Sequence, residues 1–184
     1  RVIERRGAEN DLRLSEARLD ALHTMNNKTF TDEKELILYA LEEEVRLTGS
    51  EIGYFYFVKE DGVSLELFAW SSRVAETCIT AADRHYPLDR AGVWADCART
   101  GKPSVHNDYE ALTDKKGMPE GHSPIFRHAS VPVFDGGRIV AISGVANKPG
   151  PYNNPDIRQM QLFMDSVWKM VVRKRAEGAL AGTL

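Results

Sequence analysis

Apolar residues recur along this chain with two different spacings, and the switch between them sorts it into layers. In residues 9–26 a charged background carries Leu12, Leu19 and Leu22 at heptad-like intervals, with Leu14, Ala17, Ala21 and Met25 beside them. The spacing predicts a helix that suits either a short coiled coil or docking on its own domain. After the polar break Asn26, Asn27, Lys28, either Thr31 or Asp32 is placed to cap a second helix, with Glu35 three residues beyond Asp32 as in a capping box. Leu36, Ile37, Ala40, Leu41 and Val45 form its buried stripe, and Gly49 stops it. The period then shortens. Residues 52–58 and 65–70 are aromatic-rich extended runs joined by a turn at Lys59, Glu60, Asp61 and Gly62. The first run is apolar on both faces, with Ile52, Tyr54, Tyr56 and Val58 on one and Phe55 and Phe57 on the other. That pattern predicts a central strand covered on both sides.

Residues 71–82 read as a short helix, and residues 83–109 concentrate the side chains that make sites. Within the latter segment Val93, Trp94, Cys97 and Ala98 share one helical face, Gly101 is placed to end the helix, and Pro103 turns the chain into a short extended run at 104–106. This reads as a lid packed over the sheet. A polar loop at 110–123 leads to two further strands, 129–134 and 138–147, joined by the hairpin signal Asp135, Gly136, Gly137. Asn154 is placed to cap the last helix, with Pro155 at its first position. Its stripe Ile157, Met160, Met164, Val167, Val171 has the spacing of a coiled-coil seam. The expected architecture is α+β: a central antiparallel sheet, terminal helices on one face, and a helix-and-loop lid on the other.

Composition narrows the function. The 184 residues carry 24 basic against 27 acidic side chains, a net charge of −3, and the one compact basic run is Arg173, Lys174, Arg175. Nucleic acid is therefore not the expected partner, because phosphate binding needs a concentrated basic face. Two cysteines, Cys78 and Cys97, make no disulfide framework and point to a reducing, cytoplasmic compartment. There is no membrane-spanning run and no signal-peptide pattern, so membrane insertion is not expected. The chain begins with Arg1 and reads as a piece of something longer.

Cys97 is the obvious nucleophile candidate, with Asp96 adjacent and His106 nearby in sequence. A reactive thiolate needs a cationic neighbour or a helix N-terminus, whereas Cys97 falls on an apolar helix face beside a carboxylate. Packing is the expected role. Cys78, His85, Cys97, His106, His122 and His128 do not form the close pairs of a zinc site, and neither a covalent-haem motif nor a glycine-rich phosphate loop occurs. A non-covalent haem held by one histidine stays open, and no cofactor is assigned.

Residues 30–172 carry a resemblance that rests on several motifs in order: the first hairpin from Ser50 to Gly62, the block 84–109, the segment from Pro119 to Lys148, and the last helix. Together they resemble a GAF domain of bacterial signalling proteins. The resemblance implies a sensory module, not an enzyme, with a small-molecule pocket under the lid and terminal helices that form a homodimer. Many cyclic-nucleotide-binding members carry a signature that Asn147, Lys148, Tyr152 and Asp156 match in order, although Tyr152 replaces the usual Phe and Ile157 the usual Glu. A carboxylate in the first turn of a helix is favoured by about 0.3–1 kcal/mol. Lys148 and Asp156 are accordingly expected to form a structural latch. The free methionine sulfoxide reductases share the resemblance, but the positions near Val93 and Ser123 where they place cysteines carry none here.

The residues expected around the pocket are Arg84, His85, Tyr86, Arg90, Trp94, Asn107, Tyr109 and His128. A few convergent polar groups in an aromatic cavity are the usual make-up of a small-molecule site. The expected organisation is a signalling or dimerisation helix at 1–29, the domain at 30–172, and a helical extension at 173–184 linking to an output domain absent from this chain. Two rival functions remain: a ligandless dimerisation module, and a thiol-based redox sensor or enzyme using Cys97. The seam 157–171 is expected to bring Val167 or Val171 against its own symmetry mate.

Overall fold

The computed structural model describes residues 2–77, 85–114 and 123–182. Helix α1 (Val2–Asn27) and helix α2 (Glu33–Thr48) precede strands β1 (Ile52–Val58) and β2 (Ser64–Trp70). A short helix α3 (Ser72–Thr77), strand β3 (His85–Pro87), a 3₁₀ turn at Val93–Ala95, helix α4 (Asp96–Thr100) and strand β4 (Ser104–His106) follow. Strands β5 (His128–Asp135) and β6 (Arg138–Ala146) and helix α5 (Asn154–Ala181) complete the described chain. The six strands form one sheet in the order β3-β2-β1-β6-β5-β4, and every neighbouring pair is antiparallel. The α+β architecture expected from the sequence is the one observed.

Local chemistry sets the boundaries. Asp32 caps α2 by accepting from the backbone N–H of Glu35 at 2.8 Å, while the Glu35 carboxylate reaches back to Thr31 N at 2.7 Å. Gly49 ends α2, and Gly101 ends α4 with φ of 67°, in the left-handed region that favours glycine. The cap of α5 lies one residue earlier than its sequence pattern predicts. Asn153, not Asn154, accepts from Asp156 N at 3.0 Å, and Asp156 Oδ2 accepts from Asn153 N at 3.0 Å. Only Asn153 stands three residues before the carboxylate that completes a capping box.

β1 is central, as its two apolar faces require. Phe55 packs into a large cluster with α1, α2 and α5, including Leu36, Leu41, Met160, Phe163 and Val171. Tyr54 and Tyr56 face the opposite way, into a cluster with Leu65, Cys97 and Ile142. A register shift opposite Phe55 and Tyr56 puts the successive residues Phe68 and Ala69 of β2 both on the helical side. α1 lies along α5, where Arg18 donates to the Gln159 side chain and Gln159 Nε2 donates to Ser15 Oγ.

The α5 stripe overturns one expectation. Met160, Met164, Val167 and Val171 all belong to the protein's own core, and Val171 is wholly covered. They face the sheet and are not a seam between chains. The exposed apolar positions on the terminal helices are different ones, among them Ile3 at 85%, Leu12 at 60% and Leu19 at 57% on α1 and Leu180 at 72% on α5.

Candidate functional site

The lid face of the sheet is built around Tyr54. Its strand partner on β6 is Gly144, where a Cβ would stand 2.1 Å from the Tyr54 ring. Glycine there lets the ring cross the sheet towards β5. The Tyr54 hydroxyl donates to the Trp94 carbonyl at 2.8 Å and lies 2.7 Å from His128 Nε2. Trp94 closes over the layer, its ring 5.9 Å from that of Tyr54 and 4.6 Å from that of Tyr56. One chain of hydrogen bonds thus joins the lid, β1 and β5.

His128 is 2% exposed, and burial, helped by nearby His106, lowers its pKa to about 3. The ring is neutral at physiological pH. Its Nδ1 has no hydrogen-bond partner, and the hydroxyl of Ser130 lies fully buried within reach of the Cys97 thiol and the Tyr54 hydroxyl. Both side chains come from β5, two residues apart, and so emerge on the same face. Around them, His106 lies parallel to His128 with ring centroids 5.8 Å apart, and the Tyr109 ring stands edge-on at 6.2 Å. Burial, with the Asp96 carboxylate nearby, raises the pKa of the Tyr109 phenol. Asp96 itself is held by Arg99 at 2.6 Å and lies 3.4 Å from His106 Nε2.

Cys97 is completely buried, and burial pushes its pKa up to about 12, with Asp96 adding to the rise. A thiol so placed is not a nucleophile at neutral pH. Its surroundings are those of a packing residue.

The remaining expected site residues separate. Asn107 turns its amide away from the lid interior: Nδ2 donates to the Tyr152 carbonyl at 3.0 Å, and Oδ1 accepts from Tyr152 N at 2.7 Å. Arg90 is exposed in the turn after β3. His85 and Tyr86 pair through β3 with Glu66 and Leu65, while Arg84 and Cys78 lie outside the described residues. Lys148 Nζ and Asp156 Oδ2 are 2.6 Å apart. Asn147 adopts φ of 64°, and its side chain accepts from Phe126 N and donates to the Pro124 carbonyl, both at 2.8 Å. It pins the segment leading into β5.

Three residues of this layer carry little or no sequence signal as site residues. Tyr54 reads as one apolar position in a strand, and Ser130 as a small residue in another. Arg99 braces the lid by donating to the carbonyls of Leu88, Ala91 and Gly92; its one cue is the i, i+3 pairing with Asp96. No cluster of three metal-ligating side chains occurs among the described residues.

The family model described as GAF domain matches residues 31–172. The chain belongs to the GAF domain family. A "Methyl sulfide methyltransferase-associated sensor" of Methanosarcina acetivorans is 40% identical over 182 residues. That match covers 97% of this chain and 18% of the relative, so the chain corresponds to under a fifth of that protein's length. Among solved structures, the GAF domain of a phosphoenolpyruvate-protein phosphotransferase from Coxiella burnetii superposes with a TM-score of 0.70 at 10% identity, covering 95% of this chain and 99% of that one. A free methionine-R-sulfoxide reductase from Neisseria meningitidis, solved with its substrate, superposes with a TM-score of 0.71 at 16% identity, covering 91% and 93%. At these identities the structural likenesses establish the fold alone. Among the described residues, no helix of this GAF domain is long and apolar enough to cross a membrane.

Proposed function

We propose that this GAF domain is a cytoplasmic sensory module of a larger signal-transduction protein, and that it binds a small molecule beneath the lid without transforming it. One observation carries the reading: His128 Nδ1 is buried and unpaired, on the same face of β5 as the buried hydroxyl of Ser130. Buried polar atoms are almost always hydrogen-bonded, and those left over ask for a partner. The sensor named among the relatives supports the same reading.

In this scheme Trp94, Tyr109 and His128 contact the ligand, with Tyr54 and Ser130 added to the residues expected from sequence. Asn107 and the Lys148–Asp156 pair hold the frame to the start of α5. Signal leaves through α1 and α5 towards an output domain, and a homodimer forms through the exposed Leu12 and Leu19 face of α1. A ligand shifts the helices only as far as it binds one arrangement more tightly than the other. The buried Cys97 argues for binding over thiol chemistry.

The test is thermal unfolding against fractionated metabolites, with native mass spectrometry of protein from its own host. A bound molecule at 100 times its Kd should add about 2.7 kcal/mol of stability and change the fluorescence of Trp94. No added mass in native protein and no shift with any fraction would favour the ligandless module. Leu12→Glu with Leu19→Glu should dissociate the dimer, as read by sedimentation.

A further inference from the structure

We propose that His128 meets its ligand through Nδ1 acting as a hydrogen-bond acceptor, so that the molecule recognised under the lid presents an N–H or O–H donor there. This rests on the reading of the layer as a binding site and gives that site a chemistry.

The argument is one of counting protons. The Tyr54 hydroxyl has a single hydrogen and, besides the Ser130 hydroxyl, which can give as well as accept, it meets the Trp94 carbonyl at 2.8 Å and His128 Nε2 at 2.7 Å. A carbonyl oxygen only accepts, so the Tyr54 hydrogen goes to Trp94. The second contact is then satisfied only if Nε2 carries the ring proton and donates to the Tyr54 oxygen. A neutral imidazole has one N–H, which leaves Nδ1 as a bare lone pair. The alternative tautomer would forfeit the Tyr54–Trp94 bond and also bury Nδ1 as an unpaired donor. It leaves more groups unsatisfied in a dry layer, where each costs most.

Two further features hold the arrangement. Burial raises the pKa of Tyr54 well above its ordinary value, so its hydrogen stays in place, and burial beside His106 keeps a second proton off His128. The lone pair therefore persists across the physiological range. It can be satisfied by a hydrogen-bond donor or by a metal centre; the described residues offer no cluster to cage a bare metal ion, and a haem iron, which needs one histidine only, is told apart from a donor by the nitrogen spectrum. The Ser130 hydroxyl rotates and can give or accept, so it serves whatever polar group lies next to the donor. Selection for the donor falls to His128.

The test uses the 184-residue chain labelled with 15N at histidine and two isosteric probes, phenol and toluene, followed by Trp fluorescence and by the His128 ring resonances. In the free protein Nε2 should be the protonated nitrogen and Nδ1 the bare one. Phenol should move the Nδ1 resonance towards the hydrogen-bonded position, and toluene should not. His128→Phe should lower the phenol-to-toluene affinity ratio by about tenfold relative to wild type, the scale of one net hydrogen bond. The nitrogen spectrum needs no substitution, so the proposal stays testable if that variant fails to fold. A free protein with its proton on Nδ1, or a metal-coordinated Nδ1 resonance, overturns the proposal. If both probes bind and their ratio is unchanged in the variant, the donor requirement falls while the sensory pocket stands. If neither perturbs the layer, the pocket reading falls with it.

Discussion

The two faces of the sheet each bury a titratable side chain with an unpaired atom, and they do so in opposite settings. On the helical face Glu44 of α2 is fully covered, its Oε2 accepting from Ser143 while Oε1 has no partner, and burial raises its pKa to about 8. It is held as a neutral acid among aliphatic and aromatic side chains. On the lid face His128 is held as a neutral base among Tyr54, Trp94, Tyr109, His106 and Ser130. The helical face is mainly apolar packing, with Glu44 and Ser143 a buried polar pair inside it. The lid face sets His128, Ser130 and the Tyr54 hydroxyl as a buried polar group beside its own apolar cluster and leaves His128 Nδ1 unpaired. Stability should therefore be concentrated on the first face and recognition on the second.

The sharpest challenge to that division is truncation in the helical layer. Phe163 is buried at the centre of that cluster. Phe163→Ala should cost about 3–5 kcal/mol in urea unfolding, by lost burial and the cavity left behind. A loss under 1 kcal/mol would mean that the helices add little to the sheet.

On the lid side, Tyr54→Phe keeps the ring but strips the hydroxyl that joins His128 to Trp94. It should cost about 1–3 kcal/mol, because the His128 Nε2–H is left buried and unpaired. The same change should alter the fluorescence of Trp94 while the far-ultraviolet circular dichroism of the helices stays as in wild type. Unchanged stability would show that the lid is not tied down through Tyr54.

The pH dependence separates the faces by sign. The lowered pKa of His128 means that, from pH 6.5 down to about 3, the unfolded chain takes a proton that the folded chain refuses. Its contribution is complete above pH 6.5 and is lost as pH falls through that window. The raised pKa of Glu44 means that, from pH 4.5 up to about 8, the folded chain keeps a proton that the unfolded chain has released. Its contribution is complete below pH 4.5 and is lost as pH rises to 8. Urea midpoints measured from pH 5 to 9 should show Glu44→Gln abolishing the fall between pH 6.5 and 8 and steepening the rise between pH 5 and 6.5, where the two windows overlap with opposite sign. The reverse assignment would exchange the roles of the two faces.

The smallest effect is expected where the faces are joined. Asp156 accepts from Asn153 N in the capping box and from Lys148 Nζ, whereas the Lys148 ammonium makes the ion pair and lies 6.0 Å from the centroid of the Tyr152 ring. Asp156→Ala should cost about 0.5–2 kcal/mol, the range of a lost cap, and Lys148→Ala less. The double variant should lose less than the sum of the two, as groups in contact do. Strict additivity would show that the pair does not interact in solution.

Periodicity and punctuation alone determined much of this protein. The two-faced apolar pattern of residues 52–58 makes a central strand, Asp32 and Glu35 mark the start of α2, Gly101 stops α4, and the tight turn at Gly136 and Gly137 joins β5 to β6. Each is a local matter of backbone φ, of side-chain spacing, or of a cap within four residues. What only the tertiary structure decided is which partner each face meets. The stripe from Ile157 to Val171 has the spacing of an intermolecular seam and an intramolecular core alike, and only the sheet beneath it makes it core. Asn107 looks like a ligand group until Tyr152, 45 residues away, takes both ends of its amide. Tyr54 becomes the hub of the lid only because Gly144, distant in sequence, leaves room for its ring. Spacing along a chain sets the direction in which a side chain points, but whether a polar atom is satisfied depends on every segment that folds against it. The unpaired nitrogen of His128 is therefore a property of the assembled layers and is written in no single stretch of residues.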